Sequence, residues 1–399
     1  MPMMEKSLGI QKTQLGLFLT MHGLLYGVSK FANGFLGDRA NARVLMVSGL
    51  AMSAILNVLF GFSSTVIALG IIWTLNGWFQ GMGFPPCARL IANWFSPKEL
   101  ATKFSLWNMS HPIGGGLIVI MCGYLVGINW RLCFFVPAAI ALACAGFLWL
   151  TLPDTPPSVG LPEVAGTRGD EEDLSVNAVA RDKSGQQSRR ETNREFRSFV
   201  YEHVFRNKYI WIVSFANFFV YIIRYAVLDW GPTLLTESKQ IKIVHAGWMV
   251  GGFEFFGLFG ALIGGWLTDR WFRGRAIRVC LIYMILAGVS VFLFWRIPGQ
   301  SELATAALLG AAGFFIYGPQ CLLAVAAANL ATKKAAATAI GLTSIFGYAS
   351  TVLSGWGLGA LVQHYGWNLA FECLIVVAAL GSLLFALAWH AKAHGYEEG

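Results

Sequence analysis

Charge is scarce in this sequence. Asp, Glu, Lys and Arg supply 13% of its 399 residues, against about 25% in a soluble domain. Hydrophobic residues reach 56% and the mean hydropathy is +0.58. That shortage excludes an ordinary soluble fold and leaves a polytopic membrane protein, with the lipid bilayer as its first partner. Metal-ligand spacing is also missing. The seven cysteines form no C-x-x-C pair and all fall in apolar runs, so neither a metal site nor a disulfide framework is indicated. No nucleophile–base pair stands out, so no enzyme is expected, and no cofactor is called for. No cleavable leader is expected ahead of the first span. The net charge of +8 could suit nucleic acid, but the basic residues sit in short loops between apolar runs, the positive-inside pattern, so no nucleic-acid partner is expected.

What is present is a series of apolar runs. A helix needs about 20 such residues to cross the hydrocarbon. Eleven runs qualify: 14–36, 44–62, 66–93, 104–126, 131–151, 209–229, 246–268, 277–295, 303–329, 337–361 and 367–390. The expected fold is all-α with 11 transmembrane helices. One long polar segment interrupts them and divides the chain into residues 1–152, a linker over 153–208, and 209–399. Its low hydrophobicity and mixed charge make residues 163–193 a flexible linker, and 194–207 reads as an interfacial amphipathic helix. Arg39, Arg43, Lys98, Lys103, the linker, the 270–278 loop, Lys333 and Lys334 carry the basic charge. Those loops and the C-terminus are expected in the cytoplasm, with Met1 outside.

The two halves repeat each other. Gly34–Asp38–Arg39 with Arg43 following matches Gly265–Asp269–Arg270 with Arg273 following, and WRLCF from Trp130 matches WNLAF from Trp367 at a similar offset. Repeated halves around a long linker are a transporter pattern. The halves are unequal, because two spans precede Asp269 and one precedes Asp38. The reading is therefore that the first of twelve helices is missing ahead of Met1.

Arg224 dominates the site reading. It lies in FVYIIRYAVLDW, residues 219–230, and a charge at mid-bilayer costs roughly 2.5–3.5 kcal/mol on insertion scales. Asn217, Tyr221 and Arg224 share one helix face. Other spans carry His22, Tyr26, Lys30 and Asn33; Asn76 and Gln80; Asn108 and His111; Glu254; Tyr317 and Gln320; and Tyr348. A cavity rich in Arg, Lys, His and Tyr suits a phosphate, which Arg binds bidentately and Lys as a point charge. Plainer roles stand beside these. His22 reads as a satisfied helix-face histidine near the outer surface, and Trp73, Trp78 and Trp107 read as packing. Lys30 could snorkel. His111 could be a packed core histidine, and Arg89 reads as a gate or loop contact. Glu254 and Asp229 are salt-bridge or proton-coupling candidates, Glu254 with Arg224 or Lys30 as its partner. Asp229, five residues past Arg224, is turned away from it on a regular helix.

These residues carry a resemblance. Residues 26–43, 77–96, 107–116, 154–162, 220–233 and 316–320 are similar to the organophosphate:phosphate antiporters of the major facilitator superfamily, which include glycerol-3-phosphate and hexose-6-phosphate carriers and a sensor relative. The resemblance covers nearly the whole chain. It implies a twelve-helix transporter exchanging an organic phosphate ester for inorganic phosphate in a bacterial-type inner membrane, by rocking of two halves. It implies that Arg224 binds phosphate, that His111 contributes to binding and coupling, and that Lys30, Tyr221, Tyr317 and Tyr348 line the cavity; Tyr26 and Asn108 join them as binding candidates from the polar helix faces. Asp38, Arg39, Arg43, Arg89, Asp269 and Arg270 are gating candidates. The family's second phosphate-binding arginine, on its first helix, has no match here. Two other readings stand: a sensor of external hexose phosphate coupled to a sensor kinase, and a proton-coupled carrier of organic anions.

Overall fold

The computed structural model describes residues 2–37, 41–95, 103, 106–162, 198–298, 301–331 and 336–391. Among the described residues every regular element is helical. The first group is α1 (Pro2–Leu8), α2 (Lys12–Gly37), α3 (Ala42–Phe62), α4 (Val66–Gly81), α5 (Phe84–Trp94), α6 (Ser110–Ile128) and α7 (Leu132–Thr151). After the linker come α8 (Lys208–Ser238), α9 (Ile243–Arg270), α10 (Ala276–Arg296), α11 (Glu302–Ala331), α12 (Ala336–Ala349) and α13 (Leu358–Leu387). Eight helices among the described residues are long and apolar enough to cross a membrane.

Three departures from the sequence reading have local causes. The run 66–93 breaks at Met82–Gly83, and the next helix restarts with Pro85 and Pro86 in its first turn. Proline lacks the N–H that a continuous helix would need there, but fits a first turn. The run 337–361 is interrupted by a π-helical turn over Val352–Gly357. Gly366, at φ +80°, then turns the chain before Trp367, a backbone angle that glycine adopts without strain. Within 194–207, of which 194–197 lie outside the described residues, Tyr201–Phe205 forms a π-helical turn rather than an α-helix.

The helices pack as two groups. In the first, α2 packs on α4 and α3 on α7; in the second, α11 packs on α9 and α10, and α13 on α8 and α10. The groups meet along two seams, α6 against α9, and α2 against α12, the π-turn and α13. Small residues let the backbones approach, as in helix pairs within lipid. Gly116 faces Gly251, Gly123 faces Gly247, and Gly16 faces Gly355.

Helix α7 ends and α8 begins at the linker, which defines the linker end of the molecule. The seams close at the far end. There the Thr20 hydroxyl donates to the Thr351 carbonyl at 2.8 Å and accepts from the Trp356 amide at 2.9 Å. The Lys12 amide donates to Gln363 Oε1 at 2.8 Å, and Trp248 Nε1 donates to the Tyr124 hydroxyl at 2.9 Å. Lys12 Nζ lies 3.0 Å from both Glu5 and Glu237, joining α1, α2 and α8. Burial acts to lower the Lys12 pKa, but the two carboxylates outweigh it and raise it. At the linker end Arg43 Nε donates to the Leu152 carbonyl and the Ala42 amide to Asp154 Oδ1, tying α3 to the end of α7.

Candidate functional site

Helix α8 runs for 31 residues, about 46 Å at 1.5 Å per residue. It extends nine residues beyond the end expected from hydropathy at 229, to Ser238. Arg224 therefore sits near its middle. The added length answers the question of depth that a span of 209–229 leaves open.

The arginine is half-buried among aromatic rings. Its Cζ lies 5.8 Å from the Tyr221 ring, 5.6 Å from Tyr225 and 5.0 Å from Tyr317. Such cation–π contacts contribute about 0.5–2 kcal/mol each, more as water is removed. Nη2 donates to the Tyr317 hydroxyl at 3.1 Å, and that hydroxyl donates to Glu254 Oε2. Glu254 is 2% exposed. Among the described residues Arg224 makes no ion pair, so Glu254 reaches it through a phenol rather than directly. Arg224 Nε and Gln320 Oε1 are buried without hydrogen-bond partners.

Helix α2 supplies a second positive charge, from the other helix group. Lys30 Nζ lies 3.8 Å from the centre of the Phe84 ring and donates to the Tyr348 hydroxyl at 3.4 Å. That bond crosses from one helix group to the other. Tyr348 continues the crossing: its ring lies 5.4 Å from Tyr26 and 6.4 Å from Tyr221. Tyr225 follows at 5.6 Å from Tyr221. Four tyrosines thus run from Tyr26 to the guanidinium.

A cavity of about 600 Å³ opens between the groups. Tyr26, His111, Tyr225, Asp229 and Tyr348 line it. Met46, Cys87 and Leu148 carry it toward the linker end, while the seams described above close the far end. Arg224, Lys30, Tyr221 and Tyr317 do not line it directly; Arg224 adjoins Tyr225 in the chain, and Lys30 bonds to the lining Tyr348. Asn108 is exposed and lies outside the cavity wall. Asp229, though five residues from Arg224, is on the wall.

Other residues singled out from sequence stand elsewhere. Arg43 holds α3 to the end of α7 rather than spanning the two groups. Asp269 and Arg270 are exposed at the end of α9. Asp38, Arg39, Lys98, Lys333, Lys334 and the 163–193 linker lie outside the described residues, as does the side chain of Arg89.

Sequence reasoning missed Tyr225. Its signal was there: Tyr221, Tyr225 and Asp229 follow at intervals of four, a stripe beside Arg224. It also put His22 near the outer surface and Trp73 and Trp107 in packing roles. His22 is satisfied, with Nδ1 3.0 Å from the Trp73 carbonyl, but all three line the cavity.

The chain matches the Major Facilitator Superfamily over residues 1–355. It is 38% identical over 389 residues to the glycerol-3-phosphate transporter of Bacillus subtilis (strain 168), covering 96% of this chain and 85% of that one. It is 36% identical to a probable hexose phosphate transport protein of Chlamydia trachomatis, covering 98% and 86%. The membrane sensor protein UhpC of Escherichia coli is 35% identical, covering 94% and 83%. Among solved structures, a bacterial homologue of the human lysosomal transporter Spinster, inward-facing and occupied, superposes with a TM-score of 0.76 at 13% identity, covering 97% of this chain and 91% of that one; at that identity the likeness speaks for the fold alone. The helical packing, the paired halves and the family match over residues 1–355 agree: the chain belongs to the major facilitator superfamily.

Proposed function

We propose that this chain moves a small organic phosphate ester across a bacterial-type inner membrane in exchange for inorganic phosphate, by alternating access. The observation that carries the reading is Arg224. It sits in the middle of a membrane helix, free of any carboxylate ion pair among the described residues, with a buried Nε that has no partner. An unpaired guanidinium at that depth is costly unless an anion comes to it. A phosphate accepts the two parallel N–H bonds that the guanidinium fork offers.

In this reading Arg224 grips the phosphate from the second helix group and Lys30 from the first. The hydroxyls of Tyr26, Tyr221, Tyr317 and Tyr348 surround it, and His111 tracks its charge. Glu254 holds Tyr317 in place, and Asp229 is a coupling candidate on the wall. Residues 1–152 and 209–399 act as the two rocking bodies, joined by 153–208. The packing of helices mainly within each group supports this division. With the basic loops at the linker end in the cytoplasm, the cavity faces inward. The likeness to carriers of glycerol 3-phosphate and hexose phosphate supports the choice of substrate class.

Counterflow of radiolabelled phosphate in proteoliposomes, driven by a panel of phosphate esters, tests the proposal. Exchange that requires phosphate or an ester inside is expected. Flux that follows pH and ignores phosphate would select the proton-coupled reading instead. The likeness to a sensor favours one further outcome to look for, ester binding without any flux.

A further inference from the structure

We propose that His22, Trp73, Gln80 and Ser53 form the subsite for the carbon end of the ester, and that this wall selects a hexose phosphate over a three-carbon ester. The inference rests on the phosphate-ester reading above and narrows it.

All four side chains line the 600 Å³ cavity on the first helix group. They stand away from the charged end. His22 and Lys30 are eight residues apart on α2, about 12 Å along the axis. A six-carbon ester whose phosphate is held near Lys30 and Arg224 reaches much farther across that interval than a glycerol phosphate does.

The chemistry of the wall is opposite to that of the phosphate site. The His22 and Trp73 rings are stacked, 5.1 Å between centres and 24° between planes. His22 Nδ1 lies 3.0 Å from the Trp73 carbonyl, so Nδ1 carries the proton and donates. Gln80 lines the cavity beside them, and its amide brings a carbonyl acceptor to the wall. Ser53 spends its proton on Asn76 Oδ1 at 2.6 Å, so its lone pairs are also left to accept. The wall thus offers acceptors and an aromatic face, with no cation. Sugar hydroxyls donate to such acceptors, and a sugar's C–H face packs on an indole. The anionic oxygens of a phosphate are acceptors and find no donor cation on this wall. One ester is therefore oriented by two unlike ends, donors around its phosphate and acceptors around its hydroxyls.

Trp73 is braced for this role. Phe60 lies 5.2 Å and Phe134 5.9 Å from it, ring centre to ring centre. The cavity volume falls within the range of about 300–1,000 Å³ usual for small-molecule sites.

Calorimetric titration of the full chain in detergent with glucose 6-phosphate, glycerol 3-phosphate and inorganic phosphate tests the inference. The parent protein is expected to bind glucose 6-phosphate about 10-fold more tightly than glycerol 3-phosphate. Trp73→Leu and Gln80→Leu should each bring the two esters to within about 2-fold, while Trp73→Phe, which keeps an aromatic face, retains the preference. Binding of inorganic phosphate reports that each variant is folded. A parent that prefers glycerol 3-phosphate, or variants that bind phosphate and keep the full preference, overturns the subsite and leaves the phosphate-ester reading intact. A parent that binds none of the three overturns both.

Discussion

Arg224 and Glu254 are joined through one hydroxyl group. The guanidinium donates to the Tyr317 oxygen at 3.1 Å, and that oxygen donates its own proton to the carboxylate. A direct ion pair would occupy the fork of the arginine and neutralise it. The phenol satisfies the buried acid and takes a single N–H from the arginine, leaving Nε without a partner. A cation held this way is stabilised yet still has hydrogen-bond donors for an incoming anion.

Arg224→Lys keeps the charge and loses the fork. Lysine cannot give two parallel hydrogen bonds to one phosphate. Phosphate affinity, measured by titration, should fall about 10-fold or more, a loss of at least about 1.4 kcal/mol. Parental affinity in the lysine variant would rule out the bidentate grip.

Tyr317→Phe tests the intermediary. It removes both hydrogen bonds at once and leaves a carboxylate that is 2% exposed without its donor. The cost should be about 1–3 kcal/mol, seen as a lower Tm. The freed carboxylate should then pair with Arg224 and compete with phosphate, weakening its binding. Adding Glu254→Gln removes the competitor and should restore part of that affinity. A double variant that binds no better than Tyr317→Phe alone argues against competition.

The all-helical membrane fold was legible in the sequence because it rests on hydropathy. Arg224 stood out as one charge in an apolar run, but whether it locked two helices through a carboxylate or met an anion had to be weighed from the rest of the chain. The partner of Glu254 was not legible. Sequence offered Arg224 or Lys30, and the phenol of Tyr317 lies on a third helix 63 residues away. The place of His22 on the cavity wall was not legible for the same reason. Its face of α2 is polar, but whether that face meets solvent or a cavity depends on where α4 packs. The break at Gly83 was half visible: the prolines marked it, while membrane helices often carry proline without breaking.

Lys12 should hold the far end closed over a wide pH range. Its pKa is raised above the ordinary 10.5 by Glu5 and Glu237 against the opposing effect of burial. A raised folded-state pKa gives a contribution that is complete below 10.5 and is lost only as pH climbs through the raised value. On the alkaline side closure should therefore be flat through neutral pH and weaken in strong alkali. Lys12→Gln should remove about 1–2 kcal/mol, because the pairs are partly buried. The Trp356 amide, bonded to Thr20 across the seam, provides the readout. Its deuterium exchange should quicken in Lys12→Gln, and an unchanged rate would mean that the ion pairs do not hold the seam.

Two glycines separate closure from folding. A Cβ on Gly16 would stand 2.4 Å from the Gly355 carbonyl oxygen, on the opposite helix group. A Cβ on Gly260 would stand 1.8 Å from the Phe314 carbonyl oxygen, within one group. Neither backbone oxygen can swing aside as a side chain could. The Gly16 clash is relieved by opening the far end, a movement that alternating access already requires. The Gly260 clash can be relieved only by forcing α9 away from α11. Gly16→Ala should therefore quicken exchange at Trp356 with little change in Tm. Gly260→Ala should lower Tm by the equivalent of about 1–3 kcal/mol or more, with the seam unaffected until the protein melts. Equal losses of Tm from both variants would show that the two groups are one rigid body, and the rocking of one against the other would have to be given up.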